Sequence, residues 1–112
     1  MKKSIELLRE DFQSSSSVTP QFVTFFNTFK KELTKLLKSK GCTEIVIDRG
    51  HFYAAGFFTT PNKGIYYFSI SDVRWFKEER IMYRTAKHYK DFTGGLNQYV
   101  ALDEIDELEI FE

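Results

Sequence analysis

The stretch Thr19 to Gly41, TPQFVTFFNTFKKELTKLLKSKG, decides the fold. Phe22, Phe25, Phe26, Phe29, Leu33, Leu36 and Leu37 recur at the i, i+3, i+4, i+7 spacing that lines one face of an α-helix, and Thr24, Thr28, Lys31, Lys35 and Lys38 fall on the other. Both ends carry stop signals. Thr19 can accept a hydrogen bond from a first-turn amide, and Pro20 suits the first helical position, where no N–H is needed. Gly41 can take the left-handed conformation that ends a helix. A stripe this rich in phenylalanine belongs in a core, buried against a sheet. The lysines near Gly41 suit the negative end of the helix dipole, which explains them without a nucleic-acid partner.

Upstream, Ser4 to about Gln13 predicts a short helix capped by Ser4, with Ile5, Leu8 and Phe12 on one side. Ser14 to Ser17 reads as a loop too short to separate domains.

Downstream, the hydrophobic period changes to two. Ile45 and Ile47 alternate with Glu44 and Asp48 from Thr43 onward, and Phe52 to Thr59 predicts a second strand after Gly50. Pro61-Asn62-Lys63-Gly64 has turn chemistry, with Gly64 available for a positive φ, so Ile65 to Ile70 should return as a hairpin partner. Trp75 to Arg80 reads as a charged connection, Ile81 to Lys87 as another strand, and Gln98 to Leu102 as a short edge strand after Gly94-Gly95-Leu96-Asn97. Asp103 could cap a final acidic helix carrying Ile105, Leu108 and Phe111 on one side. The order predicts one α+β domain over residues 1–112, a mainly antiparallel sheet of four to five strands packed on N-terminal helices.

The 112 residues include 12 Phe, 6 Tyr and 1 Trp, an aromatic excess that must enter the core, a contact face, or both. Sixteen cations balance sixteen acids, but six of the acids lie in residues 102–112 with no base among them. Residues 1–101 therefore hold sixteen cations against ten acids, a net of +6. An acidic end of this kind keeps a protein soluble, repels nucleic acid, or imitates its phosphates to a protein partner. The single cysteine, Cys42, cannot close an intramolecular bridge, which suits a reduced cytoplasmic setting. The start of the chain is interrupted by Glu6, Arg9, Glu10 and Asp11, unlike a secretion signal, and no apolar run approaches the roughly 18 residues of a membrane span.

No catalytic constellation stands out. One Cys and two His, Cys42 with His51 or His88, offer a Cys-His pair without a local signature. Glu44, Asp48 and His51 could ligate a metal as in a small nuclease, but Asp48-Arg49-Gly50 reads equally well as a turn, and the expectation is that no metal or cofactor is bound.

The segment Arg74 to Lys90 is the candidate contact surface. Arg74, Lys77, Arg80, Arg84, Lys87 and Lys90 interleave with Trp75, Phe76, Tyr83 and Tyr89, with His88 among them. Cations beside stackable rings are what single-stranded nucleic acid binding uses, and a strand with one solvated face has the same pattern. Thr93-Gly94-Gly95 adds unhindered backbone amides that an anion could use. The contact residues expected are Arg74, Trp75, Tyr83, Arg84, Lys87, His88, Lys90, Gly94 and Gly95.

The strings Arg49 to Tyr53, Tyr66 to Arg74, Tyr83 to His88 and Asp91 to Gly95 resemble those of small proteins carried by bacterial phages and mobile elements, over about residues 20 to 100. That resemblance implies a cytoplasmic accessory protein and, by association, an inhibitor of a host defence nucleoprotein such as a CRISPR effector. The sequence is thus read as a non-enzymatic macromolecule-binding protein whose partner is a host protein or nucleoprotein. A direct single-stranded nucleic-acid-binding module is the first alternative and a small metal-dependent nuclease the second.

Overall fold

A computed structural model describes residues 1–112. The predicted long helix is α2, Pro20–Ser39, preceded by α1, Lys2–Leu8. Thr19 caps α2 by accepting a bond from the Phe22 amide at 3.4 Å, and Gly41 follows its end at φ 82°. Five strands succeed it: β1 Thr43–Arg49, β2 Ala54–Thr59, β3 Ile65–Ile70, β4 Arg80–Ala86 and β5 Gln98–Ala101. They form one antiparallel sheet in the order β1-β2-β3-β4-β5, so every neighbour in sequence is a neighbour in space. The α+β expectation holds, with five strands.

Because successive strand residues point to opposite faces, the register sorts the sheet into two surfaces. Ile47, Ala54, Phe58, Phe68, Ile70, Ile81 and Tyr83 turn toward α2 and pack on Phe22, Phe25, Phe29, Leu33 and Leu37 in one cluster. Phe25 and Phe29 stack at 6.0 Å between ring centres, and Phe12 meets Phe25 edge-on at 5.8 Å. Each phenylalanine buried in this way contributes about 2–3 kcal/mol.

Several local expectations are corrected. Ser4 does not cap α1; it lies within the helix, fully buried. Its amide and hydroxyl both donate to Glu32 Oε1 of α2, at 2.8 and 2.5 Å. Tertiary docking, not a local cap, anchors this helix, which ends at Leu8; Phe12 reaches the core from the segment beyond it. The second strand starts at Ala54 instead of Phe52. Phe52 sits at φ 61° in the preceding turn with its ring fully buried, 5.3 Å from Phe22. In the Pro61–Gly64 turn the positive φ belongs to Lys63, at 74°, and not to Gly64. The acidic end forms two 3₁₀ segments, Leu102–Glu107 and Glu109–Phe111, with no side-chain cap from Asp103. Leu102, Ile105 and Phe111 are buried there, so the acids decorate a segment held down by its apolar residues. No helix is long and apolar enough to cross a membrane.

At Gly56 the strands β1 and β2 leave no room for a side chain. A Cβ there would come within 1.8 Å of the Val46 carbonyl oxygen of β1. Only glycine lets the two backbones approach this closely.

Candidate binding surface

Helix α2 covers one face of the sheet and leaves the other to shorter segments. On that outer face Val46 pairs with Phe57, Phe57 with Tyr67, and Tyr67 with Arg84, forming a row across four strands. The next row runs Asp48, Ala55, Ser69, Met82, Tyr99. Its small residue Ala55 leaves space open beside Phe57 and Tyr67.

The connection from β4 to β5 folds back over this wall. Tyr89 stacks on Phe57 at 5.2 Å, and Phe92 meets Phe57 and Tyr67 edge-on, each at 5.7 Å. Tyr89 Oη donates to the Glu44 carbonyl at 2.5 Å, tying the connection to β1. Arg84 ties it to β4. Its guanidinium lies 4.7 Å from the centre of the Tyr67 ring and donates to Asn97 Oδ1 at 3.0 Å and to the Phe92 carbonyl. Arg84 Nε is buried without an acceptor.

Inside the connection the Asp91 carboxylate accepts from the amides of Lys87 at 2.9 Å and Thr93 at 3.0 Å, and from the Thr93 hydroxyl at 3.1 Å. These bonds, the Lys87 amide foremost, hold the Asp91 pKa below the usual carboxylate range. Gly95 N donates to the Thr85 carbonyl at 3.0 Å. A hollow of about 730 Å³ does open beside Lys87, His88, Gly94 and Gly95, but a carboxylate already holds the amides of Lys87 and Thr93. An anion entering there meets Asp91.

The expected contact residues therefore do not form one site. Arg74 and Trp75 lie before the start of β4, and Lys87, His88, Lys90, Gly94 and Gly95 beyond its end, a strand of seven residues apart. Tyr83 points into the core at 9% exposure and donates to Gln98 Oε1, so it is not a surface residue. Four of the six cations of the segment Arg74 to Lys90 are engaged within the chain. Arg74 pairs with Asp72 at 2.6 Å and covers the Phe52 ring at 4.2 Å. Lys77 donates to the carbonyls of Leu8 and Glu10, and Arg80 pairs with Glu78 while lying 4.2 Å over Tyr99. Lys87, Lys90 and Arg49 have side chains in no ion pair.

The surface that sequence reasoning missed is a hollow of about 610 Å³ at the β1 side of the outer face, lined by Val46, Tyr53, Ala55, Phe57, Tyr67, Tyr89 and Phe92, with Asp48, Arg49 and Lys90 at its polar margin. Val46, Tyr53 and Phe92 remain 39%, 45% and 59% exposed. A signal was present: Phe57-Phe58 and Tyr66-Tyr67 are adjacent aromatics on strands, so one of each pair had to face away from α2.

Glu44, Asp48 and His51 do not converge. No group of three or more His, Cys, Asp or Glu side chains is placed to hold a metal ion. Glu44 lies by Thr59, Asp48 borders the outer hollow, and His51 packs edge-on against Phe52 at 4.9 Å. Cys42 is buried, and burial pushes its thiol pKa up to about 11, the opposite of an activated nucleophile. No family model, curated protein or solved structure matches the chain.

Proposed function

We propose that this chain is a non-enzymatic binding protein that docks a protein surface on the outer face of its sheet. One observation carries the reading. The face opposite the helix displays half-exposed apolar side chains, Val46, Tyr53 and Phe92, around an aromatic hollow, while Arg74, Lys77, Arg80 and Arg84 are occupied by internal partners. Exposed aromatic anchors in a concave, apolar patch are the features that dominate protein interfaces. Cations already spent on carbonyls and carboxylates contribute little counterion release, the main source of nucleic-acid affinity.

The resemblance to phage and mobile-element proteins makes a host nucleoprotein, such as a CRISPR effector, the partner class to try first, with contact to its protein component. A single buried cysteine fits a cytoplasmic place of work. The test is capture from nuclease-treated lysate of the native host, with wild-type protein and a Tyr53→Ser/Phe92→Ser variant as parallel baits. A stoichiometric partner retained by the first and lost by the second is expected. Binding of oligothymidine that falls steeply with salt, with no protein retained, overturns the reading in favour of nucleic acid.

A further inference from the structure

We propose that β1 receives an extended segment of the partner as an added strand, a proposal that rests on the outer face being the binding surface. β1 is an edge of the sheet, paired only with β2. None of the backbone hydrogen bonds outside the helices and sheet begins or ends within Thr43–Arg49, so its outer row of amides and carbonyls has no main-chain partner. Of the backbone groups of β1, Tyr89 reaches only the Glu44 carbonyl. From Val46 to Arg49 the register with β2 is regular, which leaves a straight pairing edge clear of the irregularity at its start. An open edge of this kind is a template for another extended chain.

The hollow is continuous with that edge. Val46, Asp48 and Arg49 of β1 line it, and Tyr53 closes its end with its ring against Gly50. A strand laid at the usual spacing of about 4.8 Å from β1 places alternate side chains beside Val46 and Asp48, at the mouth of the apolar space. Lys90, whose side chain is in no ion pair, stands at the polar margin and offers a cation to an acidic residue in the incoming segment. The occupant is therefore an extended peptide with large apolar side chains at alternate positions and a flanking Asp or Glu. A second copy fits less well. Antiparallel pairing of two β1 edges sets Asp48 against Val46 or against its own counterpart, and neither satisfies the carboxylate.

Selection of a displayed library of linear peptides on the full chain, with calorimetry of a recovered peptide, tests this. Recovered peptides should carry large apolar residues at alternate positions and an acid beside them. N-methylation of alternate amides should weaken binding at least about tenfold, as the loss of two main-chain hydrogen bonds requires. Lys90→Glu should weaken it as well, and the outward-facing amides between Val46 and Arg49 should gain protection from hydrogen exchange. Binding indifferent to N-methylation but lost in Tyr53→Ser overturns strand addition and leaves the surface reading standing. Peptides indifferent to both changes, or none recovered, overturn the proposal together with its basis. Self-association that protects the β1 amides assigns the edge to a second copy instead.

Discussion

The Arg84 guanidinium lies over the Tyr67 ring at 4.7 Å and at the same time donates to Asn97 and to the Phe92 carbonyl. One side chain thus joins the sheet to the connection that packs on Phe57 and Tyr67 of its outer face. Arg84→Ala should cost about 1–3 kcal/mol, from one cation–π contact and two hydrogen bonds, in denaturant melts. Residues 87–97 should lose hydrogen-exchange protection before the sheet does. Arg84→Lys should recover only part of this, because an ammonium cannot stack and reach both acceptors. A loss below about 0.5 kcal/mol, with the connection still protected, would contradict the role.

Phe29 is fully buried at the centre of the α2 stripe, stacked on Phe25. Phe29→Ala should cost about 3–5 kcal/mol, a large share of the stability of a domain this size. A loss under about 1 kcal/mol in a urea titration would mean that the stripe is not the core.

Gly56→Ala should be costly although it adds one methyl group. The new Cβ meets the Val46 carbonyl 1.8 Å away, so β1 must shift off β2. The expected loss is about 1–3 kcal/mol or more, with amide chemical shifts disturbed first in Val46 and Ile47. A neutral substitution would show that β1 yields freely at its irregular end.

Glu32 links acid stability to the docking of α1. Burial pushes its pKa up, but the bonds donated by the Ser4 side chain and backbone outweigh this and the net shift is downward. A carboxylate held lower in the folded state stabilises above its unfolded pKa and loses that contribution as pH falls through the folded value. Stability should therefore decline as pH drops below the ordinary glutamate range, and Glu32→Gln should flatten that decline. An unchanged pH profile in Glu32→Gln would remove Glu32 from it.

The Cys42 thiol, with its pKa pushed up to about 11 by burial, should react slowly with Ellman's reagent at neutral pH and rapidly once the chain is unfolded in guanidinium. Rapid reaction of the native protein would show that the junction of α2 and β1 opens readily.

Helix α2 and the five strands were legible because they rest on local chemistry: Thr19 and Pro20 at one end, Gly41 at the other, a stripe at helical spacing, and period-two segments parted by turn residues. Turn details were not. Phe52 adopts φ 61° because burial of its ring against Phe22 outweighs local preference, and Ser4 is internal because Glu32, 28 residues away, takes its hydrogen bonds. The candidate surface divides the same way. Sequence alone brought Arg74 to Gly95 forward as a run of cations and rings, but a strand between them carries the two halves to opposite ends, and its alternation sends Tyr83 inward and Arg84 outward. Only pairing across strands puts Val46, Phe57 and Tyr67 in one row and brings Tyr53 and Phe92 to its sides, since register joins residues that are distant in the chain. Composition determined only that the aromatic excess had to enter the core, a contact face, or both; strand register decided that Phe57 and Tyr67 went to the sheet's second face.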